Sequence, residues 1–440
     1  MPSPVAASRA DYVEISLNSR WRSGLFLCVA ALVTLVGCVE ALRIAAATTL
    51  ENSAQLAQVE KAVALDPGNA ILHGRLASLY GDSLEPSSLA AAAREAQRAT
   101  ALDPNNTGSW LTLASTCEAV RDHACADQAT ERALDLSPMV PQVWWTAANH
   151  YLRADQAGLA FSCFHRLLQL SPDYAAPTFA LALRAYGDPG MILEKVVGNE
   201  RNSRLELAFA DFMSANEEFD AAHRAWARVA DADSVFPFAS VQPYLERLLA
   251  HGRYHEAQAV WSNLEGRGVI AKPPDGGQDN LMFNGGFEQP PIGAGFDWRS
   301  QPSSYVSADF ADPAPYEGAH CLRVDFPVGL NDAFEPVFQI VPVSANQAYA
   351  LTAYVRSSDI TSDSGPRLRV TDADCPSCLD TATETTVGTT PWHKLALKFT
   401  AGAQTHAVRV SVWRPRSRVF PMEISGTFWL DAVSMRAEPQ

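Results

Sequence analysis

Cysteine is scarce in this sequence, with eight residues in a chain of 440. Small secreted proteins held together by disulfides use cysteine far more densely, so that class is excluded. Positive charge is also in the minority: 34 Lys and Arg stand against 49 Asp and Glu, for a net charge of −15. No long run of one charge sign occurs, so the acidity favours solubility and argues against a nucleic-acid partner.

Signature motifs of common enzyme classes are absent as well. The chain has no G-x-S-x-G, no H-E-x-x-H, no Walker A and no G-x-G-x-x-G sequence. Its ten histidines are scattered, and no pair of carboxylates stands out as a glycosidase pair. We therefore expect a protein that binds and does not catalyse, and we keep an enzyme with an unrecognised site as the least favoured alternative.

A repeating unit fills the first half of the chain. Leu102-Asp103-Pro104, Leu136-Ser137-Pro138 and Leu170-Ser171-Pro172 recur every 34 residues, and Leu65-Asp66-Pro67 precedes the first of them by 37. An apolar stripe leads into each proline, which lacks the N–H that a helix interior needs. A large-small-large pattern at helical spacing follows each proline. This period predicts stacked helical hairpins, an architecture that holds partners.

The repeat resembles the tetratricopeptide repeat, with its W-x2-L-G-x2-Y stretch and terminal proline. Trp110, Leu113 and Ala114 form one copy of that stretch, and alanine replaces the usual glycine throughout. Two degenerate copies follow around Trp226 and Trp261. The resemblance implies a six-hairpin solenoid whose tryptophans pack between helices and whose surface docks a protein partner.

An uncharged run of 17 residues, from Ser23 to Val39, marks the N-terminus as a membrane segment. Arg9, Arg20 and Arg22 precede it, so the positive-inside rule predicts a cytoplasmic N-terminus and an exported remainder. A cleaved and lipidated signal is the alternative, because Leu35-Val36-Gly37-Cys38 is similar to a bacterial lipobox. We favour an uncleaved, single-pass inner-membrane anchor, and both readings place the bulk of the chain in the periplasm.

Two cysteine pairs are candidates for disulfides in an exported chain. Cys117 and Cys125 flank the turn of one predicted helical hairpin. Cys375 and Cys378 form a C-x-x-C that follows a strand-like run and has carboxylates around it, which disfavour a reactive thiolate. We expect a loop disulfide there in preference to a redox centre or a zinc site.

The chain changes character after Leu264. Residues 268–280 contain two prolines and two adjacent glycines, a composition typical of a linker. From Leu281 onward, short segments alternate between apolar and polar residues, as in 349–356, 394–399 and 407–413. This two-residue period over about 160 positions predicts an antiparallel β-sandwich.

The ordered segments of this half resemble a jelly-roll carbohydrate-binding module. The stretch Asn284-Gly285-Gly286-Phe287-Glu288 opens it, and Leu430-Asp431-Ala432-Val433-Ser434 closes it, with alanine where the family often has a second aspartate. The resemblance implies a structural Ca²⁺ that ties the first strand to the last, with Gly286, Glu288, Glu317 and Asp431 as ligands. The alternative is that Glu288 and Asp431 only hydrogen-bond the strand ends. For Trp298 we expect a core position.

Alternation also predicts which side chains of the sandwich point outward. We expect one outward face that combines aromatic rings with arginines and can stack on sugar rings and bind carboxylates: Tyr354, Arg356, Arg367, Arg369, Arg409 and Trp413. A solvated sheet face is the simpler alternative.

These inferences combine into one interpretation. We expect a cytoplasmic tail (1–22), a transmembrane anchor (23–48), a tetratricopeptide-like α-solenoid (49–267), a linker (268–280) and a carbohydrate-binding-like jelly roll (281–440). The expected function is a non-catalytic periplasmic scaffold that binds a polysaccharide and docks a protein of the envelope-glycan or exopolysaccharide assembly machinery. The alternative is a purely protein–protein scaffold whose sandwich binds no sugar.

Overall fold

The computed structural model describes residues 20–439, except for 84, 233, 275–278, 302–305 and 421, and except for the side chains of Val328 and Leu330. The chain forms two compact units, Met1–Ser171 and Pro172–Gln440. Most of the predicted cytoplasmic tail and the centre of the predicted linker lie outside the described residues.

Helices dominate the described chain from Arg20 to Gly266. In the first unit they are α1 (Arg20–Glu51), α2 (Leu56–Leu65), α3 (Ala70–Gly81), α4 (Pro86–Leu102), α5 (Thr107–Ala119), α6 (His123–Leu136), α7 (Pro141–Arg153) and α8 (Ala157–Leu170). In the second they are α9 (Ala175–Tyr186), α10 (Pro189–Ile192), α11 (Ser203–Ala215), α12 (Phe219–Ala230), α13 (Gln242–Ala250) and α14 (Tyr254–Gly266).

Each proline motif ends one helix and prepares the next. Two residues after Pro67 and Pro104, Asn69 and Asn106 cap α3 and α5 by accepting backbone N–H groups of the first turn. In the first three repeats the large residue then bonds back to its motif: the indole N–H of Trp110 donates to the Pro104 carbonyl at 2.9 Å. Trp144 donates in the same way to Pro138, and His73 Nε2 lies 3.1 Å from the Pro67 carbonyl.

The fourth hairpin is incomplete. Gly187 takes a left-handed conformation at the end of α9, and Pro189 follows it at the start of α10, which has only four residues. A π-helical turn, Leu193–Val197, continues from α10. The second helix of this repeat is therefore much shorter than α4, α6 and α8.

Helix α1 is long and apolar enough to cross a membrane, which by length and composition suits an anchor or a signal sequence. It continues past the apolar run, and its Ala47 is fully buried against Ala62 and Leu72. Arg43 bonds Glu40 and donates to the Leu65 carbonyl at 2.9 Å. The apolar helix therefore runs without interruption into the first helices of the array.

The strands form two five-stranded antiparallel sheets. They are β1 (Arg299–Ser300), β2 (Ser307–Asp312), β3 (Cys321–Leu330), β4 (Phe334–Pro342), β5 (Ala348–Ile360), β6 (Arg367–Asp372), β7 (Asp380–Ala382), β8 (Gly388–Thr400), β9 (Ala407–Arg414) and β10 (Ile424–Ala437). One sheet has the order β1-β4-β9-β6-β7 and the other β2-β3-β10-β5-β8. The predicted fold class, a helical-hairpin array followed by an antiparallel sandwich and preceded by one apolar helix, is confirmed.

The inward side chains of both sheets form one apolar core. Leu351, Ala353 and Val355 of β5 face it, as the alternation predicts. Trp298 is fully buried, packs against Phe287 and donates its indole N–H to the Asn284 carbonyl at 3.0 Å. Its predicted core position is confirmed.

Within the second unit, α13 and α14 pack directly on the sandwich. The Trp261 ring contacts those of Phe283 and Phe296 edge to face, at 5.1 and 5.8 Å between centroids. Gly295 lies so close that an added Cβ would stand 2.0 Å from the Trp261 ring. Glu246 accepts hydrogen bonds from the Arg299 guanidinium and the Gly295 N–H.

Both predicted cysteine pairs are disulfides in the structure. Cys117–Cys125 joins the end of α5 to the start of α6, and Cys375–Cys378 closes a turn between β6 and β7. The neighbouring Asp374 accepts a hydrogen bond from the Tyr254 hydroxyl of α14 at 2.7 Å. The C-x-x-C thus lies in a loop and does not itself begin a helix.

Candidate functional site

The six residues predicted to form one outward face lie on two different sheets. Tyr354 and Arg356 belong to β5, whereas Arg367, Arg369, Arg409 and Trp413 belong to β6 and β9 of the opposite sheet. The prediction of a single face is wrong in this respect. Alternation decides inward or outward for each strand separately, but long-range strand pairing decides which sheet the strand joins.

We call Arg367, Arg369, Arg409 and Trp413 the arginine face. The guanidinium carbons of Arg367 and Arg369 lie 5.4 and 4.6 Å from the centre of a Trp413 ring. Arg369 also pairs with Asp380 at 2.7 Å and Glu335 at 3.2 Å. Its hydrogen bond with Asp380 raises the pKa of Arg369, so this charge is compensated inside the protein.

Arg409 is compensated more weakly. Its guanidinium carbon stacks 3.6 Å from the centre of the Phe338 ring, and Glu335 lies 3.9 Å away. Burial lowers the pKa of Arg409, and the neighbouring charge of Arg299 adds to this effect. Arg299 is itself held by Glu246 of α13, so this end of the arginine face adjoins the packed helices.

The opposite sheet carries a continuous row of rings and guanidinium groups, which we call the aromatic row: Tyr316, Tyr354, Trp392, Arg356, Trp429 and Arg323. Tyr316 stacks on Tyr354 with ring centres 3.7 Å apart and 9° between planes, and Trp392 lies 6.0 Å from Tyr316. Arg356 lies between two indoles, 4.0 Å from Trp429 and 5.3 Å from Trp392. Arg323 covers the far side of Trp429 at 5.9 Å.

Strand register brings this row together. Trp429 of β10 pairs with Arg323 of β3 on one side and with Arg356 of β5 on the other. Tyr354 of β5 pairs with Lys394 of β8, two residues beyond Trp392. The row crosses four adjacent strands, roughly 14 Å at ordinary strand spacing.

The two arginines of the aromatic row differ in how far neighbouring carboxylates balance their charge. Arg323 pairs with Asp325 at 3.0 Å and Asp312 at 3.6 Å, and the bond with Asp325 raises the pKa of Arg323. Within the described part of the chain, the Arg356 side chain makes no ion pair or hydrogen bond. The buried Nε of Arg356 and the indole N–H of Trp429 both lack a partner there.

Four members of the aromatic row were not identified from the sequence. Alternation along β3 and β10 also assigns Arg323 and Trp429 outward, since Leu322, Val324, Phe428 and Leu430 are buried. The sequence therefore contains the signal for these two residues. Tyr316 lies in the loop before β3, where no periodicity applies, and its stacking on Tyr354 depends on the fold.

The predicted calcium ligands engage backbone amides. The Glu288 carboxylate accepts the N–H groups of Ala319 and His320, and that of Asp431 accepts those of Tyr316 and Glu317. Asp431 is fully buried, and burial raises the pKa of its carboxyl to about 6. The segment before β1 and the last strand, β10, are thus tied to the loop before β3 by amide–carboxylate bonds.

The groups that point at the Glu288 and Asp431 carboxylates are backbone N–H donors. A bound cation would need the same carboxylate oxygens. Among the described residues, no cluster of three or more His, Cys, Asp or Glu side chains is arranged to hold a metal ion. The bonds match the alternative in which Glu288 and Asp431 only form hydrogen bonds, although Glu288 lies in a loop before β1 and Asp431 within β10. Calcium binding through Gly286, Glu288, Glu317 and Asp431 stays a prediction that the arrangement does not support.

The first helical unit has its own polar cleft, of about 340 Å³, lined by Ser115, Glu118, His123, His150 and Arg153. His150 is buried with Nδ1 against Glu118 and Nε2 2.7 Å from Asp127. Burial lowers the pKa of His150, but its hydrogen bonds with the two carboxylates outweigh burial and raise it. A second cleft, of about 360 Å³, shares Ser115 and extends to Ser78 and Thr146.

Comparison by sequence identifies no relatives: no family model matches the chain, and no curated protein does. Solved structures resembling parts of it include two groups. PilF of Pseudomonas aeruginosa is 17% identical over 48% of this chain and 81% of its own (TM-score 0.26). YrrB, described as a TPR protein with an unusual peptide-binding site, is 14% identical over 49% of this chain and 93% of its own (TM-score 0.25).

The second group resembles the sandwich. A family 16 carbohydrate-binding module is 20% identical over 36% of this chain and 99% of its own, with a TM-score of 0.25. Tetratricopeptide proteins and carbohydrate-binding modules, the two groups that the sequence resembles, are thus both among its structural neighbours. Each match covers less than half of the chain.

Proposed function

We propose that this protein is a non-catalytic, membrane-anchored scaffold that binds a polysaccharide through its β-sandwich and a protein partner through its helical repeats. The aromatic row is the observation that carries the carbohydrate half. It offers tyrosine and tryptophan rings, arginine N–H donors and a span across four strands on one sheet. Flat apolar rings interspersed with polar donors are suited to the apolar faces and hydroxyls of sugar rings.

Of the two candidate faces, the aromatic row is the better binding surface. The arginine face uses Glu335 and Asp380 to neutralise its own charges, and one end adjoins α13. In the aromatic row, Tyr316 is 42% exposed and Arg356 has no carboxylate partner among the described residues. The sugar site therefore comprises Tyr354 and Arg356 of the predicted set, together with Tyr316, Trp392, Trp429 and Arg323.

The repeats supply the protein-docking half. The two clefts that meet at Ser115 are lined by residues from α3 to α7 and mix hydroxyl, carboxylate and imidazole groups with apolar side chains. Such a surface suits an extended peptide.

The anchor in α1, with Arg20 and Arg22 at its start, supports a periplasmic location at a bacterial inner membrane, with lipidation at Cys38 as the alternative. Exopolysaccharide or envelope-glycan assembly is the process in which these parts fit together.

A polysaccharide array tests the carbohydrate half, using the full chain in detergent micelles. We expect binding that Trp429→Ala weakens at least tenfold, because a central aromatic contributes most to such a surface. Trp413→Ala, on the opposite sheet, is the matched control and should bind like the wild type. Absence of binding to every glycan would favour the purely protein–protein scaffold, and turnover of a bound glycan would favour an enzyme.

Site-specific photocrosslinking in cells tests the docking half. A photoreactive residue at Ser115 should give one dominant adduct, whereas the same residue at the exposed Arg132 on α6 should not. Equal crosslinking from both positions would show that the partner does not bind specifically at these clefts.

A further inference from the structure

From the uncompensated guanidinium of Arg356 we infer that the glycan is acidic, and that Arg356 binds a carboxylate carried by its sugar units. This inference rests on the proposed function, since it presumes that the aromatic row binds a glycan. It adds the chemical class of the ligand and the residue that selects it.

Arg356 is held in place by rings alone. Its guanidinium carbon lies over the rings of Trp429 and Trp392, contacts that do not use its N–H donors. Within the described residues these donors have no carboxylate and no hydrogen-bond acceptor. A cation in this position is preorganised for an anion that arrives with the ligand.

Several other arginines of the sandwich have carboxylate partners. Arg323 has Asp325 and Asp312, Arg369 has Asp380 and Glu335, and Arg416 has Asp332 at 2.7 Å. Arg367 is the nearest match to Arg356, because it too lies over a tryptophan and forms no ion pair among the described residues. Burial lowers the pKa of Arg367, however, and Asp363 is near enough to raise it in part.

The surroundings of Arg356 favour a negative group on the side of β8. Lys394 is exposed beside Tyr354 on that strand, whereas Asp312 and Asp325 lie beyond Trp429 and are engaged by Arg323. A planar guanidinium fork matches the two oxygens of a carboxylate, and such charge-assisted bonds are about twice as strong as neutral ones. A sugar ring stacked on Tyr316 and Trp392, whose centres lie 6.0 Å apart, would bring its acidic substituent toward the Arg356 guanidinium, 5.3 Å from Trp392.

The experiment measures binding of the full chain in detergent to matched polysaccharides by affinity electrophoresis. Polygalacturonate, alginate, hyaluronan and xanthan are each compared with their carboxyl-methylated forms, alongside neutral dextran, xylan and β-glucan. We expect at least one acidic polymer to bind about tenfold more tightly than its ester, the size of one charge-assisted interaction. Arg356→Gln should abolish that preference, Arg356→Lys should keep part of it, and Arg367→Gln should leave it unchanged.

The outcomes separate this inference from the proposed function. Binding of glycans with no preference for the free acid, or a preference that survives in Arg356→Gln, overturns the inference and leaves the carbohydrate proposal intact. Failure to bind any acidic or neutral polymer overturns the carbohydrate proposal itself. Unchanged circular dichroism and melting temperature in the Gln and Lys variants show that the comparison reports binding and not folding.

Discussion

Asp431 shows how one buried carboxylate can join the last strand to the loop before β3. Its oxygens accept the N–H groups of Tyr316, Glu317 and Ala432, yet burial still raises the pKa of the carboxyl to about 6. Folded protein therefore holds a proton at pH values where the unfolded chain, with a pKa of 3.8, has lost it.

The raised pKa of Asp431 makes the free energy of unfolding depend on pH. A pKa raised on folding means that the folded state binds more protons between pH 6 and 4, so acidification through this window stabilises it. We expect the wild type to gain on the order of 2 kcal/mol relative to Asp431→Asn as the pH falls from 7 to 4. Thermal melting of both proteins across that range measures the difference. A difference in stability that does not change with pH would contradict the raised pKa of Asp431.

The same melts with CaCl₂ and with EDTA test the calcium prediction.

His150 gives the opposite dependence in the helical unit. The hydrogen bonds of its imidazole with Glu118 and Asp127 raise the pKa of His150, and Arg153 also bonds Glu118. The stabilisation is present below the ordinary histidine pKa and is lost as the pH rises through the folded value. We expect the melting temperature of wild type to fall relative to that of His150→Gln between pH 6 and 8.5. His123→Gln, an exposed histidine of the same cleft, should behave like the wild type.

Among the elements, the helical hairpins share a side-chain hydrogen bond that recurs in successive repeats. The indoles of Trp110 and Trp144 each donate to the carbonyl of the proline six residues earlier. Trp144→Phe retains an aromatic ring and removes the donor, so it should lower the free energy of unfolding by about 1 kcal/mol. Trp110→Phe should act similarly. Urea denaturation followed by circular dichroism checks both; a loss much larger than this would point to packing in place of the hydrogen bond.

Local patterns predicted the elements well because their causes are local. Proline ends a helix through its own missing N–H, and Asn69 caps the next one through its own side chain, so helix boundaries follow from neighbouring residues. The same holds for Val355 facing inward and Arg356 outward. Sheet membership has no such local cause, which is why β5 was grouped with β6 and β9 from sequence. The aromatic row depends on pairing of β3, β10, β5 and β8, and sequence alone could not assemble it.

At the scale of the molecule, the last helical hairpin and the sandwich share an interface. Gly295 takes a φ of +60° and presses against Trp261, while Glu246 holds Arg299. Gly295→Ala should destabilise the second unit by about 2 kcal/mol or more, through strain and steric clash. Gly293→Ala is the matched control: it shares the positive φ, but its added Cβ would meet nothing within 4 Å. Equal losses in thermal melts would show that backbone strain alone is responsible.

Truncation tests the same interface directly. A chain covering 238–440 retains α13 and α14, whereas one covering 273–440 exposes Phe283 and Phe296, which those helices cover. We expect the shorter chain to melt at a lower temperature and to bind a dye specific for exposed apolar surface. Identical melting would show that residues 281–440 fold independently, as the domain boundaries predicted from sequence require.

Helix α1 has a mechanical consequence. It runs from Arg20 to Glu51 without a proline, and its last turns are built into the first repeat through Ala47. If α1 spans a membrane, as we propose, it would respond to bilayer thickness by tilting. Because no hinge separates the apolar run from the repeats, such a tilt would act as a lever on the first helical unit. Membrane thickness would then set the angle at which its clefts are presented, a property that an anchor joined by a flexible tether could not have.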